Sequence, residues 1–230
     1  KIEGVIRRDE QVLTPEDSAA IINALYTAAN ARPVNRLLEK GDDDFSLSIP
    51  GLARFRVSAF KQRGTMSAVI RVVPFSLPDP KKLNIPEAVL SLAHRQKGLI
   101  LVTGSAGSGK TTTLTCMIDE INSTRNCHIV TIEDPIEFLH RHKKSIVTQR
   151  EIATDTDNYL NALRAALRQS IDVILIGEMR DYNTIATAMT AAETGHLVLS
   201  TLHTVGAANT IDRVIDVFPA EQQRQIRIQL

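Results

Sequence analysis

The sequence predicts an α/β protein in which a parallel sheet covered by helices follows a smaller α+β domain. From residue 87 onward, apolar runs of strand length alternate with helical segments, an order typical of a parallel sheet. In the first third, apolar and polar residues alternate with period two, which indicates half-buried strands. Four prolines from Pro74 to Pro86 separate the two regions, and such a stretch is typical of an extended linker. We therefore expect domains at residues 1–73 and 87–230, joined by a linker at 74–86.

The first domain is expected to contain short helices and strands. Pro15 follows Thr14 and suits the first position of a helix, in which Ile21, Ile22 and Leu25 share one face. Gly41 suits the end of a second helix. The remaining predicted elements are a hairpin from Lys1–Arg8 and Gln11–Leu13, a helix at Val34–Glu39, and three alternating strands marked by Phe45, Leu47 and Ile49, by Phe55, Val57 and Ala59, and by Met66, Ala68, Ile70 and Val72.

The second domain is expected to alternate strands with helices. Short apolar runs indicate buried strands, and strands of this kind in alternation with helices favour a parallel arrangement. The predicted strands are Leu99–Thr103, His128–Ile132, Asp172–Ile176 and Leu197–Ser200, and the predicted helices lie near Lys110–Asn122, Asn158–Arg168, Asn183–Glu193 and Gly206–Val214.

The composition is that of an ordinary globular protein, with 43% hydrophobic and 23% charged residues. No apolar run reaches the roughly 18 residues that a membrane-spanning helix needs. A net charge of +1 gives no overall electrostatic case for binding nucleic acid, and we expect none. Cys116 and Cys127 form no C-x-x-C pair and are expected to be reduced thiols of a cytosolic protein. Because Lys1 and Leu230 fall inside predicted elements, we expect a fragment of a longer chain.

A glycine-rich loop gives the strongest functional signal. Residues Gly104–Thr111 read GSAGSGKT, which fits G-x-x-x-x-G-K-S/T at every fixed position between an apolar strand and a helix. Glycines let successive N–H groups point at a phosphate, and the helix offers its positive end. We expect Lys110 to bridge the β- and γ-phosphates of ATP and Thr111 to hold Mg²⁺. The expected nucleotide-binding residues are Gly104, Ser105, Ala106, Gly107, Ser108, Gly109, Lys110, Thr111 and Thr112.

Two acidic clusters lie at the carboxyl ends of predicted strands, where ligands collect in an open α/β sheet. The first is Thr131–Glu137, which contains three acids. In the second, Glu178 follows an apolar strand, which is the Walker B pattern, and it is compatible with holding Mg²⁺ through a water molecule. Beside a phosphate loop, these clusters predict ATP hydrolysis rather than ATP binding alone.

The histidines fall into two groups. His196 and His203 are seven positions apart, an odd separation that points them to opposite faces of a continuous strand. They are therefore expected to have separate roles, near a nucleotide or a neighbouring domain, rather than to bind one metal. His140 and His142 occupy a polar basic stretch and are expected on a solvated surface.

Four segments resemble the boxes of secretion and pilus ATPases in order and spacing. Gly104–Thr111, Thr131–His140, Gly177–Asp181 and Thr194–Thr204 are similar to the Walker A, Asp, Walker B and His boxes. Within that superfamily, the chain resembles the PilT-type retraction ATPases of twitching motility at Ala192–His196, Thr210–Pro219 and Arg54–Pro74. The resemblance implies a RecA-like P-loop ATPase domain after a PAS-like N-terminal domain.

The resemblance also implies a role for each matched residue. Glu137 would be the catalytic glutamate that polarises water and Glu178 the Walker B acid, with Lys110 completing the catalytic set. His196 and His203 would link the state of the nucleotide to the position of the domains. The candidates to complete the site of a neighbouring subunit are Arg54, Arg56, Arg71 and Arg213.

The machine implied by the resemblance is a homo-hexamer that uses ATP and Mg²⁺ to retract type IV pili. Its partner would be an inner-membrane pilus platform protein, which places the motor in the cytoplasm at the inner face of the membrane, attached through partners only. The alternatives are an ATPase of pilus assembly, type II secretion or conjugation, and a regulatory paralogue of low activity. A small-molecule kinase is disfavoured, because no lid or acceptor-site motif is evident.

Overall fold

The computed structural model describes residues 12–73 and 76–230. The chain divides into two compact units, Lys1–Phe75 and Ser76–Leu230. The first strand of the predicted N-terminal hairpin, Lys1–Arg8, lies outside the described residues, and Val12 and Leu13 have no regular secondary structure. No helix in the described part of the chain has the length and apolar character to span a membrane.

The first unit packs two helices against an antiparallel sheet of order β1-β2-β3. Its elements are α1 (Pro15–Ala28), α2 (Asn35–Lys40), β1 (Asp42–Ile49), β2 (Ala53–Gln62) and β3 (Thr65–Val73). The Thr14 hydroxyl accepts a hydrogen bond from the Asp17 N–H, and the Asp17 carboxylate accepts one from the Thr14 N–H. This reciprocal cap satisfies two otherwise unpaired donors and sets the start of α1.

The core of the first unit lies between α1, α2 and one face of the sheet. Ile22 and Tyr26 point into it from α1, whereas Ile21, which was predicted to share a face with Ile22 and Leu25, is 45% exposed. The buried stripe follows the i, i+4 spacing of Ile22 and Tyr26, and Ile21 lies about 100° away from Ile22 around the helix. The strands contribute the side chains of Phe45, Leu47, Val57 and Ala59.

The second unit is a five-stranded parallel sheet with helices on both faces, which confirms the predicted α/β class. The strands lie in the order β4-β8-β7-β5-β6. They are β4 (Gly98–Thr103), β5 (His128–Glu133), β6 (Ile146–Glu151), β7 (Val173–Ile176) and β8 (Leu197–Leu202), and the helices are α3 (Glu87–Ser91), followed by a 3₁₀ turn at Leu92–His94, α4 (Lys110–Thr124), α5 (Tyr159–Ala166), α6 (Tyr182–Glu193), α7 (Ala207–Asp216) and α8 (Ala220–Gln229).

Two apolar cores sandwich this sheet. One face packs against α3, the 3₁₀ turn and α4 through side chains such as Leu114, Met117 and Ile118. The other face packs against α5 to α8, with Leu163 and Ile185 among the buried residues. Every residue of β7 and β8 is buried, which explains why these central strands read as continuous apolar runs.

Sequence reasoning missed two elements, strand β6 and helix α3. Strand β6 pairs with β5 at the edge of the described sheet, and its sequence, IVTQRE, is mostly polar beyond its first two residues. An edge strand needs less apolar surface than a central one, so its signal is weak. The position of β6 matters below, because two of its side chains reach the loop after β5.

Candidate active site

The phosphate-loop motif forms the turn between β4 and α4. Gly104, Gly107 and Gly109 have φ values of 150°, 76° and 91°, which residues with a Cβ atom rarely adopt. A Cβ atom on Gly104 would lie 2.7 Å from Ser108 Oγ, so a side chain there would have to displace the Ser108 hydroxyl. Because α4 begins at Lys110, the unpaired N–H groups and the positive end of this helix lie at the loop.

Lys110 lies within this loop rather than in solvent. Its side chain folds back, and Nζ donates hydrogen bonds to Gly104 O at 3.0 Å and to Ser105 O at 2.9 Å. The residue is only 9% exposed, and a buried ammonium group requires such acceptors. Since both acceptors are neutral carbonyls, an anionic phosphate oxygen would bind this group more strongly.

Glu178 follows β7 and is held between two basic side chains. Its Oε1 lies 2.5 Å from Arg180 Nη2, and its Oε2 lies 3.4 Å from His203 Nε2. The Glu178 side chain is 14% exposed, whereas those of Arg180 and His203 are 76% and 54% exposed. The predicted Walker B acid is therefore a mostly buried carboxylate whose two partners are largely exposed.

Glu133 ends β5 and is also buried. Its Oε1 accepts hydrogen bonds from Thr131 Oγ1 at 2.6 Å and from Gln149 Nε2 at 3.2 Å. Burial raises the pKa of Glu133 to about 7, although hydrogen bonds from Thr131, Gln149 and the Glu137 backbone N–H favour the charged form. This carboxyl group therefore titrates near neutral pH, next to the loop that carries Glu137.

A cavity of about 290 Å³ joins these groups. Seven predicted site residues line it: Ala106, Gly107, Lys110, Thr111, Glu137, Glu178 and His203. Glu133, Asp134, Arg180 and Tyr159 also line it, and burial raises the pKa of the Tyr159 hydroxyl. The fold thus brings the phosphate loop, both acidic clusters and one of the two predicted histidines to one place.

His196 and Arg213 lie elsewhere. His196 precedes β8 and His203 follows it, so a strand of six residues separates them, about 20 Å at the usual rise. His196 Nδ1 lies 3.0 Å from Ala191 O, at the end of α6. Arg213 lines a second cavity, of about 320 Å³, which shares Glu178 and His203 with the first.

The N-terminal arginines share one face of the first unit's sheet. Arg56 lies directly opposite Arg71 across β2 and β3, and Val57 lies opposite Ile70. Because side chains alternate along a strand, both arginines and Arg54 lie on the face opposite the buried Val57. Like charges directly opposite each other repel, so Arg56 and Arg71 are unfavourably placed unless a negative charge lies between them.

The expectation of a solvated surface is wrong for His140, whereas His142 is exposed. His140 lines the cavity, its Nδ1 is buried with no hydrogen-bond partner among the residues that the structure describes, and burial lowers its pKa to about 4. The physical reason lies in α4, where the Asn122 side chain bonds the backbone of Arg141 and Lys143. These bonds draw the segment against the helix and enclose His140 despite its basic neighbours.

Sequence reasoning also missed Gln149 and Glu151, which lie on β6 and bond the loop after β5. Ile136 N–H donates to Glu151 Oε2 at 3.0 Å, and His140 N–H donates to Gln149 Oε1 at 2.8 Å. The β-branched run Ile146–Thr148 is the one signal that could have indicated this strand.

A parallel α/β sheet with this loop and two acids at its carboxyl edge defines a P-loop nucleotide-binding protein. Comparison with known protein families narrows this class to one family. The chain belongs to the Type II/IV secretion system protein family, whose model matches residues 3–226.

The chain is similar to proteins of pilus systems. It is 47% identical over its whole length to the "Type IV pilus retractation ATPase PilT" of Pseudomonas aeruginosa and 46% identical over its whole length to the "Twitching motility protein" of Neisseria gonorrhoeae. A crystal structure of the pilus retraction motor PilT with bound ADP matches the entire chain with a TM-score of 0.93 and 52% identity. The chain spans 66%, 61% and 66% of the lengths of these three proteins.

Proposed function

We propose that this protein is a hexameric ATPase that drives the retraction of type IV pili. The observation that carries the proposal is the convergence of Lys110, Glu137 and Glu178 on one cavity at the phosphate loop. The similarity to curated proteins named for pilus retraction and twitching motility supports the choice of machine.

ATP would place its phosphates in the loop. Its oxygens would accept hydrogen bonds from the N–H groups at the start of α4 and would replace Gly104 O and Ser105 O as the acceptors of Lys110 Nζ. The ADP bound in the similar crystal structure of PilT supports a nucleotide as the ligand.

The residues present fit Mg²⁺. The Thr111 hydroxyl and the Glu178 carboxylate line the same cavity, and Mg²⁺ prefers such oxygen ligands. Within residues 12–73 and 76–230, no three His, Cys, Asp or Glu side chains converge to form a metal site alone. When bound, Mg²⁺ would neutralise charge on the β- and γ-phosphates. Glu178 would hold it through a water molecule.

Glu137 is the proposed catalytic residue. It lies on the loop after β5, is half-buried and lines the cavity, so its carboxylate can orient and polarise the attacking water. His203 lies at the end of β8 and contacts Glu178. We therefore propose that His203 communicates the state of the nucleotide to the segment after β8, while His196 acts away from the cavity.

Arg54, Arg56 and Arg71 are proposed to act in trans on the nucleotide of a neighbouring copy, with Arg213 as a further candidate. The repulsion between Arg56 and Arg71 would be relieved by an anionic phosphate. Mixing subunits tests this idea in full-length rings. Glu137→Gln and Arg56→Gln rings should each be inactive, and random mixed rings should recover about a quarter of wild-type activity, because one interface in four then holds both intact residues. Mixed rings without activity would contradict action in trans.

The proposed setting is a homo-hexamer at the inner face of the cytoplasmic membrane, bound to a platform protein of the pilus machine. The main experiment compares full-length protein with its Lys110→Ala variant. We expect Mg²⁺-dependent ATP hydrolysis by ring fractions, loss of hydrolysis in the variant, and restored twitching when the wild-type gene complements a retraction-deficient strain. Hydrolysis without restored retraction would favour an assembly or secretion ATPase, and binding without hydrolysis would favour a regulatory paralogue.

A further inference from the structure

We infer that Gln149 is a positioning residue that fixes the loop carrying Glu137 by joining it to the buried side chain of Glu133. This inference rests on the proposed function, since it concerns where Glu137 lies during ATP hydrolysis. Gln149 lies on β6, and the loop 134–140 follows the neighbouring strand β5, which ends at Glu133.

The carboxamide of Gln149 makes three hydrogen bonds around this loop. Its Oε1 accepts from His140 N–H at 2.8 Å. Its Nε2 donates to Phe138 O at 2.9 Å and to Glu133 Oε1 at 3.2 Å. Both amide hydrogens are therefore used, and the contacts lie on each side of Glu137 in the chain.

Two further contacts complete the attachment. Glu133 is 9% exposed, and the nearby backbone N–H of Glu137 favours the charged form of its carboxyl group and so lowers its pKa. Glu151, two positions after Gln149 on β6, accepts from Ile136 N–H. Because side chains at positions i and i+2 share one face of a strand, both residues reach the loop from the same face of β6.

This attachment matters because of how Glu137 is held. Among the described residues, its carboxylate has no hydrogen-bond or ion-pair partner. The position of the carboxylate in the cavity is therefore set by the backbone of the loop, which Gln149 and Glu133 hold. A shift of about 1 Å in a reacting group can lower a rate about 100-fold.

The first variant is Gln149→Met in the full-length protein, which keeps the length of the side chain and removes its hydrogen bonds. We expect the turnover number to fall by about 10- to 100-fold, while the dissociation constant of ADP stays within about threefold. The control is Thr148→Val, since Thr148 Oγ1 on the same strand contacts His128 Nε2 at 3.0 Å and lies away from the loop. Unchanged turnover in Gln149→Met, or a loss matched by Thr148→Val, would overturn the inference.

A pH profile separates positioning from a general loss of stability. Gln149→Glu keeps the acceptor for His140 N–H but faces the Glu133 carboxyl group, and the two can share a hydrogen bond only when one of them holds a proton. The other titratable groups that face Glu133 are Glu137 and Tyr159. We expect the ratio of Gln149→Glu to Gln149→Met turnover to rise severalfold from pH 8 to pH 6. A flat ratio would contradict the role of the Glu133 contact.

Hydrogen exchange provides a readout that does not depend on hydrolysis. In Gln149→Met, peptides covering residues 137–142 should exchange at least about tenfold faster, because the His140 amide loses its acceptor. Peptides from α6 should not change. If Gln149→Met exchanges faster than the wild type as expected but the wild type hydrolyses no ATP, the proposed function fails and the role of Gln149 in holding the loop stands. If the variant and the wild type exchange at the same rate, that role of Gln149 is contradicted even in an active enzyme.

Discussion

Replacing Gly104 with alanine is expected to weaken nucleotide binding by an amount that the loop geometry sets. An alanine at φ of 150° costs about 1–3 kcal/mol of backbone strain. Its Cβ atom would also lie 2.7 Å from Ser108 Oγ, and displacing that hydroxyl from its rotamer costs about 0.5–1.5 kcal/mol. Without nucleotide, the loop of the variant can relax to avoid both costs, and nucleotide binding must then restore the strained shape. The sum of the two costs, about 1.5–4.5 kcal/mol, is therefore lost from the free energy of nucleotide binding.

The expected result is a dissociation constant for ADP at least about tenfold higher. Titration of full-length protein with a fluorescent ADP analogue measures it directly. A second variant, Gly104→Ala with Ser108→Ala, removes the contact at Oγ and keeps the strain, so it should recover about two- to tenfold of the lost affinity.

The matched control is Gly64→Ala in the turn between β2 and β3. Gly64 has φ of 82°, and a Cβ atom there would meet nothing within 4 Å. This variant should lose stability without a change in ADP affinity beyond about twofold. Wild-type affinity in Gly104→Ala, or an equal loss in Gly64→Ala, would refute the assignment of Gly104 to the phosphate loop.

Two further predictions concern buried carboxyl groups. Asp43→Ala should lower the free energy of unfolding of the first unit by about 3–5 kcal/mol in urea denaturation. The reason is that the fully buried Asp43 carboxylate binds Arg32 at 2.9 Å and accepts a hydrogen bond from the Tyr26 hydroxyl at 3.0 Å. Asp44→Ala, at an exposed position, should lower the free energy of unfolding far less, and equal losses in the two variants would contradict the prediction. Burial raises the pKa of Glu133 from the reference value of 4.5 to about 7 in the folded protein. The free energy of unfolding of the wild type, relative to that of Glu133→Gln, should therefore fall as pH rises from about 4.5 to 7 and then level off. A wild type that gains stability relative to Glu133→Gln over this pH range would contradict the prediction.

The phosphate loop and the strands beside it could be predicted because their signals are local. The turn requires glycines at fixed spacing, which gives a recognisable motif. The central strands are buried on both faces, which gives continuous apolar runs in the sequence. Glu178 could be placed for the same reason, since it lies two residues after the end of a fully apolar strand.

The rest depends on contacts between segments distant in sequence. Gln149 reaches Glu133 only because β6 pairs with β5, and no local pattern in a polar edge strand records that pairing. His140 was misplaced because Asn122, on α4, encloses its segment. His196 and His203 lie at opposite ends of β8, and their separation follows from the length and direction of this strand. The sequence periodicity predicted only that they would lie on different faces.

The central claim is that one cavity holds ATP through the loop and hydrolyses it through Glu137. Single-turnover hydrolysis by full-length Glu137→Gln rings, with ATP binding measured on the same sample, tests it most directly. The account predicts ATP affinity within about threefold of wild type and a hydrolysis rate lowered by about 100-fold or more. Hydrolysis within about threefold of the wild-type rate, with ATP bound normally, would contradict it.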